Sequence, residues 1–151
     1  MTLNEQARAV LAELGPGCDA IDGIQELADG SWALLMFETR RVDLALDARR
    51  GMLVLRTDVG RPPPSRMAEG YAALLSYNLL WEQTGGARMA LGGSEGDVVL
   101  LMDVPMAGLD WGTLDTVLRN IADVADAWGR QLQQAAPAEP PAGLAWTGRL
   151  A

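Results

Sequence analysis

The chain has 151 residues and a formal net charge of −8, and it contains no histidine, no lysine and one cysteine. Without histidine it lacks the base of Ser-His-Asp and Cys-His catalytic groups and cannot form a His/Cys metal site. The acidic balance also disfavours nucleic acid as a partner, because a negative protein surface repels phosphate.

The sequence predicts a cytoplasmic protein. Its first residues, MTLNEQARAVLAELG, have neither the basic start nor the continuous apolar core of a signal peptide. No segment approaches the roughly 20 apolar residues that a membrane span needs. The lone Cys18 cannot form an intrachain disulfide and fits a reducing compartment.

The chain begins with a predicted helix over about residues 3–14. Its apolar residues recur at helical spacing, at Leu3, Ala7, Val10, Leu11 and Leu14. The sequence Gly15-Pro16-Gly17 follows directly, and this combination is expected to stop the helix.

A series of short strands is predicted between residues 18 and 60. A weak apolar run is followed by three clearer segments, at 21–27, 31–38, 42–46 and 52–57. Asp29-Gly30 and Arg50-Gly51 provide turns between them. The short connections favour antiparallel pairing.

A second helix is predicted after the prolines at 62–64, and Gly85-Gly86 is expected to end it. Its apolar side is broad and includes Met67, Tyr71, Leu74, Leu75, Asn78 and Leu79. A surface helix needs only one apolar stripe to pack on its own domain. We therefore expect this helix to contact a second surface besides its own sheet.

The rest of the chain predicts a hairpin and a long helix. Strands over 87–91 and 97–104 pair across a glycine-rich turn, and Asp110 can cap the helix that follows. Leucine, isoleucine and tryptophan keep helical spacing from Leu114 to Leu132. Residues 135–151 are rich in alanine and proline and are expected to form a disordered tail.

These elements predict an α+β domain over residues 1–134, with three helices against an antiparallel sheet. The predicted order is α-β-β-β-α-β-β-α, with room for a fourth strand before the second helix. The length is sufficient to bury a core without disulfides.

Paired carboxylates are the remaining candidates for acid–base chemistry, at Asp110/Asp115 and Asp123/Asp126. They fall on the polar side of the last helix, where a solvated surface is the simpler interpretation. The segment GGSEGD lacks the GxxxxGK[ST] pattern of a phosphate loop. We therefore predict a protein that is not an enzyme, with no catalytic residue, metal site or cofactor.

The region from Asn78 to Leu132 carries the clearest family pattern. It contains NLLWEQTGG, the hairpin, the step Val104, Pro105 and Leu109, and a terminal helix rich in leucine. With the small size and acidity of the chain, this order resembles the class I chaperones of type III secretion, the Tir-chaperone-like family. The resemblance covers about residues 3–134.

The resemblance implies a homodimeric chaperone in the cytoplasm of a Gram-negative bacterium. Such a protein binds the N-terminal segment of a secreted effector in extended form and keeps it soluble and competent for secretion without ATP. The effector segment adds strands to exposed sheet edges, which suits the unpaired backbone groups there. The ATPase of the secretion apparatus is a further candidate partner.

The resemblance also implies positions for two surfaces. The first helix and the early strands match the effector-binding surface, at Leu3, Ala7, Val10, Leu11, Trp32, Leu34 and Met36. The second helix and the first strand of the hairpin match the dimer interface, at Met67, Tyr71, Leu74, Leu75, Asn78 and Met89.

Two other functions remain open. An enzyme or a small-ligand-binding domain would need a polar pocket, for which Arg88, Asp103 and Tyr77 are candidates without a visible convergence. A regulatory dimerisation module would share the fold but bind a folded partner, because a fold alone does not determine a function.

Overall fold

The structure is a computed structural model that describes residues 1–134, so the predicted tail over 135–151 lies outside the described residues. A short 3-10 helix (Pro64–Arg66) precedes the second α-helix. The helices and strands in chain order are α1 (Leu3–Gly17), β1 (Ile21–Ala28), β2 (Ser31–Met36), β3 (Arg40–Asp47), β4 (Met52–Gly60), α2 (Met67–Asn78), β5 (Arg88–Leu91), β6 (Val98–Pro105) and α3 (Trp111–Gln133).

The strands form one sheet in the order β1-β2-β3-β4-β6-β5, which leaves β1 and β5 at its edges. The pairings of β1 with β2, β2 with β3 and β3 with β4 are antiparallel. This confirms the predicted α+β class. Four strands precede α2, so the shorter predicted order lacked one strand. The weak run at 21–27 is β1, and its apolar pattern is weak because an edge strand buries few side chains.

Two predicted helix ends differ from the structure. Helix α1 continues through Pro16 to Gly17, because the Cys18 amide donates to the Leu14 carbonyl at 3.0 Å and closes a turn across the proline. Helix α2 ends at Asn78, and a series of turns, rather than a further helical segment, leads to Gly85 and Gly86.

Strand β2 ends two residues earlier than predicted, because Phe37 and Glu38 form the turn to β3. Both have positive φ angles, 50° and 63°, and the Thr39 amide donates to the Met36 carbonyl at 3.1 Å. Positive φ angles at both central residues define a type I′ turn, which glycine and asparagine normally occupy. The apolar pattern of SWALLMFE does not record this reversal.

The described residues divide into two compact units, each considered separately. The first contains Met1–Thr57 and Leu101–Ala122, and the second contains Asp58–Leu100 and residues 123–134.

The first unit contains α1, strands β1 to β3, most of β4, the end of β6 and the start of α3. The Thr2 hydroxyl accepts from the Glu5 amide while the Glu5 carboxylate accepts from the Thr2 amide, so a capping box begins α1. Asp110 Oδ1 accepts from the Thr113 amide at 2.7 Å and caps α3 as predicted. The core of this unit is apolar and includes Leu14, Leu34, Met36, Val42, Leu44, Leu55, Leu114 and Leu118.

The second unit packs α2 and the end of α3 with the β5–β6 hairpin. Trp128 and Tyr77 lie in its core with ring centroids 5.6 Å apart and an interplanar angle of 76°, an edge-to-face arrangement. Gly70 allows α2 to approach Pro62, since a Cβ there would come within 2.8 Å of the proline ring. The other buried residues include Leu74, Met89, Val98, Leu100, Ala125 and Leu132.

Candidate functional site

The positions predicted for effector binding lie mostly inside the first unit. Six of them are buried: Ala7, Val10, Leu11, Trp32, Leu34 and Met36. Leu3 is half-buried. Packing within the chain already occupies the buried side chains, so a partner meets the exposed residues of the same elements first. The role of the seven positions in effector binding stays a prediction.

Large apolar side chains are exposed beside these positions, at Leu27, Leu35 and Phe37. Leu35 pairs in register with Gly23 of β1, and the Phe37 amide donates to the Ala20 carbonyl at 3.0 Å. Leu27 lies near the opposite end of β1, next to the turn into β2. We call these three residues and strand β1 together the β1 surface.

The backbone of β1 is regular only over a short stretch. Its register against β2 shifts between Ile21 and Gly23 and again between Glu26 and Ala28. Such bulges bend a strand and interrupt the ladder of hydrogen bonds. Residues 23–26 between them pair regularly with β2, and within residues 1–134 their backbone groups make no hydrogen bond outside that pairing. This stretch can accept a further strand on its outer side.

The charges around β1 are mainly negative. Arg8 of α1 lies 2.6 Å from Glu26 and 3.0 Å from Asp29. The hydrogen bond and charge of Glu26 raise the pKa of Arg8. Asp22 accepts from the Glu38 amide at 2.5 Å. Arg8 pairs with two of the three carboxylates on and beside β1, so the strand keeps a net negative charge and favours a segment that carries positive charge.

The positions predicted for the dimer interface converge in the second unit. Five of the six line one apolar groove of about 190 Å³: Tyr71, Leu74, Leu75, Asn78 and Met89. Ala90, Leu91 and Val98 complete its lining. The sixth, Met67, is half-buried and lies beside Gly96 instead.

Large apolar side chains are exposed both in the lining of this groove, at Leu75 and Leu91, and in the turn that follows α2, at Leu79 and Trp81. Leu75 is 69% exposed, and Leu79, Trp81 and Leu91 are each more than half exposed. Large apolar side chains grouped in this way are typical of an interaction surface. We call the groove and these four residues the α2–β5 surface. Their role in a dimer stays a prediction.

Polar side chains fix the backbone around the groove. The Tyr71 hydroxyl donates to the Gly96 carbonyl at 2.9 Å in the turn of the hairpin. The Asn78 side chain donates to the Met89 carbonyl at 2.9 Å and accepts from the Met89 amide at 2.7 Å. The groove is therefore a formed feature of the unit, with its α2 wall bonded to its β5 wall.

Sequence reasoning missed Leu27, Phe37 and Thr84. Leu27 and Phe37 were read as parts of ordinary strands, although bulges and a turn expose them. Thr84 lies in the segment that was predicted as helix and instead bonds the backbone of Ala87. A signal was available at Asn78, a polar residue within an apolar helix side, since such a residue needs a hydrogen-bond partner.

Two of the four carboxylates considered for acid–base chemistry, Asp110 and Asp115, have structural roles. The buried Cys18 thiol donates to Asp115 Oδ1 at 2.7 Å, and Arg119 bonds both Asp115 and Asp19. Arg119 accordingly lowers the pKa of Asp19. This network joins the end of α1 to α3 within the first unit. No group of three or more potential metal ligands occurs among residues 1–134.

None of the helices within residues 1–134 is long and apolar enough to cross a membrane.

The sequence model of the Tir chaperone protein (CesT) family matches residues 9–129 of the chain. That range includes most of both surfaces described above. Among curated proteins, none matches the chain significantly.

Several solved structures of protein complexes contain a chain with the same fold. The crystal structure of the ExsC–ExsE complex contains a chain with 26% identity and a TM-score of 0.73, covering 89% of this chain and 99% of that chain. The HopA1–SchA chaperone–effector complex gives 16% identity, a TM-score of 0.67 and coverages of 84% and 95%. The Yersinia pestis type III secretion chaperone SycH, in complex with a fragment of YscM2, gives 22% identity and a TM-score of 0.61. The match covers 82% of this chain and 97% of that chain.

Proposed function

The chain belongs to the Tir chaperone protein (CesT) family and is an effector-binding chaperone of type III secretion, and we propose that it holds the N-terminal segment of its effector, the client, in extended form. The client stays unfolded and soluble until it is secreted. The chaperone acts by binding, without catalysis, cofactor or ATP, in the cytoplasm of a Gram-negative bacterium.

The observation that carries this proposal is the β1 surface. An extended client can pair its backbone with residues 23–26 at the edge of the sheet, and alternate client side chains can contact Leu27, Leu35 and Phe37. The carboxylates of Asp22, Glu26 and Asp29 favour a client segment with arginine or lysine. Backbone pairing provides affinity that depends little on the client sequence.

A second copy of the chain is the proposed occupant of the α2–β5 surface. Exposed apolar side chains in the groove, at Leu75 and Leu91, and in the turn after α2, at Leu79 and Trp81, make a lone chain prone to association. In a symmetric dimer each copy presents the same patch to the other, so Leu75 and Trp81 of one protomer would contact the same surface of its partner. The secretion-apparatus ATPase remains a further proposed partner.

The test captures the client from the source bacterium under secretion-inducing conditions. Tagged protein is purified, captured proteins are identified by mass spectrometry, and limited proteolysis maps the protected client segment. A secreted protein protected over its N-terminal segment is the expected result. Capture of folded partners alone would support a regulatory dimerisation module instead.

Matched variants localise the binding. Leu35→Glu changes an exposed side chain of the β1 surface and should reduce client capture. Ala45→Glu places the same charge at an exposed position on β3, away from the β1 edge, and should leave capture unchanged. Equal capture by both variants would remove the β1 surface from the proposal.

A further inference from the structure

Strand β5 lies at an edge of the sheet, yet the backbone N–H and carbonyl of its residue Met89 are already hydrogen-bonded to a side chain. Met89 donates its N–H to Asn78 Oδ1 at 2.7 Å, and its carbonyl accepts from Asn78 Nδ2 at 2.9 Å. One amide side chain thus bonds both backbone groups of one residue, as the backbone of a neighbouring strand would. The asparagine side chain takes the place of an added strand.

Two residues earlier, both backbone groups of Ala87 are hydrogen-bonded to a single residue, Thr84. The Ala87 amide donates to the Thr84 carbonyl at 3.3 Å, and the Ala87 carbonyl accepts from the Thr84 hydroxyl at 3.1 Å. Gly85 and Gly86, with φ angles of 66° and 89°, allow the chain to reverse between these two residues. The turn after α2 therefore continues what Asn78 begins.

Alternation along the strand shows which side of β5 these bonds cover. Gly92 donates to Asp97 O at 2.7 Å across the hairpin, toward β6. Successive residues of a strand direct their backbone groups to opposite sides, so residues 88, 90 and 92 face β6 and residues 87, 89 and 91 face outward. Of these three outward-facing residues, Ala87 and Met89 have their backbone groups hydrogen-bonded to Thr84 and Asn78, and Leu91 is the third.

We propose that Asn78 and Thr84 decide which edge of the sheet accepts a client strand, by closing β5 and leaving β1 for strand addition. This inference rests on the proposed function, because it specifies where the client pairs. Each protomer then binds one client strand, and a second copy covers the α2–β5 surface through side chains rather than through paired backbones. Asn78 and Thr84 act as positioning residues, since they act through the backbone of β5.

The first test measures hydrogen exchange at single amides in full-length protein. In Asn78→Ala the Met89 amide loses its acceptor, and its exchange should become about tenfold faster. In Thr84→Val the Ala87 amide keeps its carbonyl acceptor, so its exchange should change less. Ser76→Ala is the matched control, because its hydroxyl bonds only the Ala72 carbonyl of its own helix. Unchanged exchange at Met89 in Asn78→Ala would overturn the proposed closure.

The second test counts added strands with a defined probe. The probe is a fluorescent ten-residue peptide of alternating valine and threonine with an arginine at each end, a composition that favours strands. Wild-type protein should bind one peptide per protomer and protect amides of β1 only. Below the dimer dissociation constant, where a second copy does not cover β5, Asn78→Ala should bind about two and protect residues 88–91 as well.

The outcomes separate this inference from the proposed function. Protection of β5 in the wild-type protein, or one peptide per protomer in Asn78→Ala, overturns the inference and leaves the chaperone function intact. Protection of neither edge contradicts strand addition itself and overturns both. If circular dichroism shows that Asn78→Ala is unfolded, the peptide count is made with Asn78→Asp instead. Its carboxylate still accepts from Met89 N–H but cannot donate to the Met89 carbonyl.

Discussion

The two edges of the sheet differ in what they offer to a partner. Strand β1 presents backbone groups over residues 23–26, with bulges on both sides and carboxylates nearby. Strand β5 has Asn78 and Thr84 bonded to its backbone, and it presents an apolar groove instead. One edge therefore suits recognition by backbone pairing, and the other suits recognition by side-chain packing.

Under the proposed function, this difference would let a small chaperone pair with an extended client at one edge and with a second copy at the other. Backbone pairing tolerates many sequences, because every residue except proline carries the same donor and acceptor. Packing in a groove is selective, because it requires complementary shapes. Two equally open edges would allow the sheets of different copies to pair edge to edge, which natural proteins avoid by covering or interrupting their edge strands.

The largest expected effect separates core from surface at β2. Leu34 is 1% exposed and Leu35 is 40% exposed, so neighbouring residues test opposite sides of one strand. Leu34→Glu places a charge in the core of the first unit and should cost more than about 3 kcal/mol of the free energy of unfolding. Leu35→Glu should keep the fold and weaken client binding about tenfold.

Thermal unfolding followed by circular dichroism and client titration by calorimetry measure the two effects. If Leu34→Glu stays folded and loses its client, the buried positions themselves form the binding surface. That result would assign client binding to the buried positions instead of to the exposed Leu27, Leu35 and Phe37.

The next effect concerns the α2–β5 surface. Leu75→Asp adds a charge to an exposed side chain at the groove, so it should leave thermal stability of the isolated chain unchanged. It should raise the dimer dissociation constant at least about tenfold, since apolar anchors carry much of the energy of an interface. Light scattering across a dilution series measures this constant.

Ser94→Asp is the control for that experiment, because it adds the same charge at an exposed position of the β5–β6 turn outside the groove. An unchanged dimer in Leu75→Asp would exclude the α2–β5 surface as the interface. A monomer in both variants would indicate that net charge alone opposes association.

A smaller and opposite effect is expected in the turn that borders the β1 surface. Glu38 has a φ angle of 63°, which glycine adopts without strain. Glu38→Gly should raise the free energy of unfolding by about 0.5–1 kcal/mol, and Glu38→Ala should not, because alanine keeps the Cβ. Chemical denaturation measures both. Equal effects of the two variants would assign the change to the lost charge instead of the backbone.

Patterns with a physical period allowed most of the fold to be predicted. The spacing of Leu114, Leu118 and Trp128 located α3, and the Asp110 cap followed from the preference of aspartate for helix starts. The ends of α1, β2 and α2 could not be predicted. A hydrogen bond at Cys18 ends α1, positive φ angles at Phe37 and Glu38 end β2, and a series of turns follows α2. Apolar periodicity carries no information about such local reversals.

The candidate site was predictable to a different extent at each edge. Five of the positions predicted for the dimer interface line one groove, because the broad apolar side of α2 exceeds what its own unit covers. The effector positions were predicted from apolar strands, and apolar residues of a strand face the core as readily as a partner. Pairing register and bulges decide between these faces, and a single sequence does not encode them as a simple pattern.

The smallest expected effect sharpens the comparison of the edges themselves. Arg8 joins α1 to β1 through Glu26 and Asp29, all at exposed positions, and such pairs add little to global stability. Arg8→Ala should therefore leave the melting temperature nearly unchanged and should accelerate exchange of β1 amides about twofold, with no change at β5. Arg41→Ala is the control, because its partner Asp43 lies on its own strand, β3.

High salt distinguishes the cause of that effect. At 1 M salt the Debye length falls to about 3 Å, so the exchange difference between wild type and Arg8→Ala should shrink if attraction between charges holds α1 against β1. Arginine keeps its charge across the working pH range, and Glu26 raises the pKa of Arg8 further, so alkaline buffer should not reproduce the effect. Equal acceleration at β1 and β5 would show instead that Arg8 supports the fold as a whole.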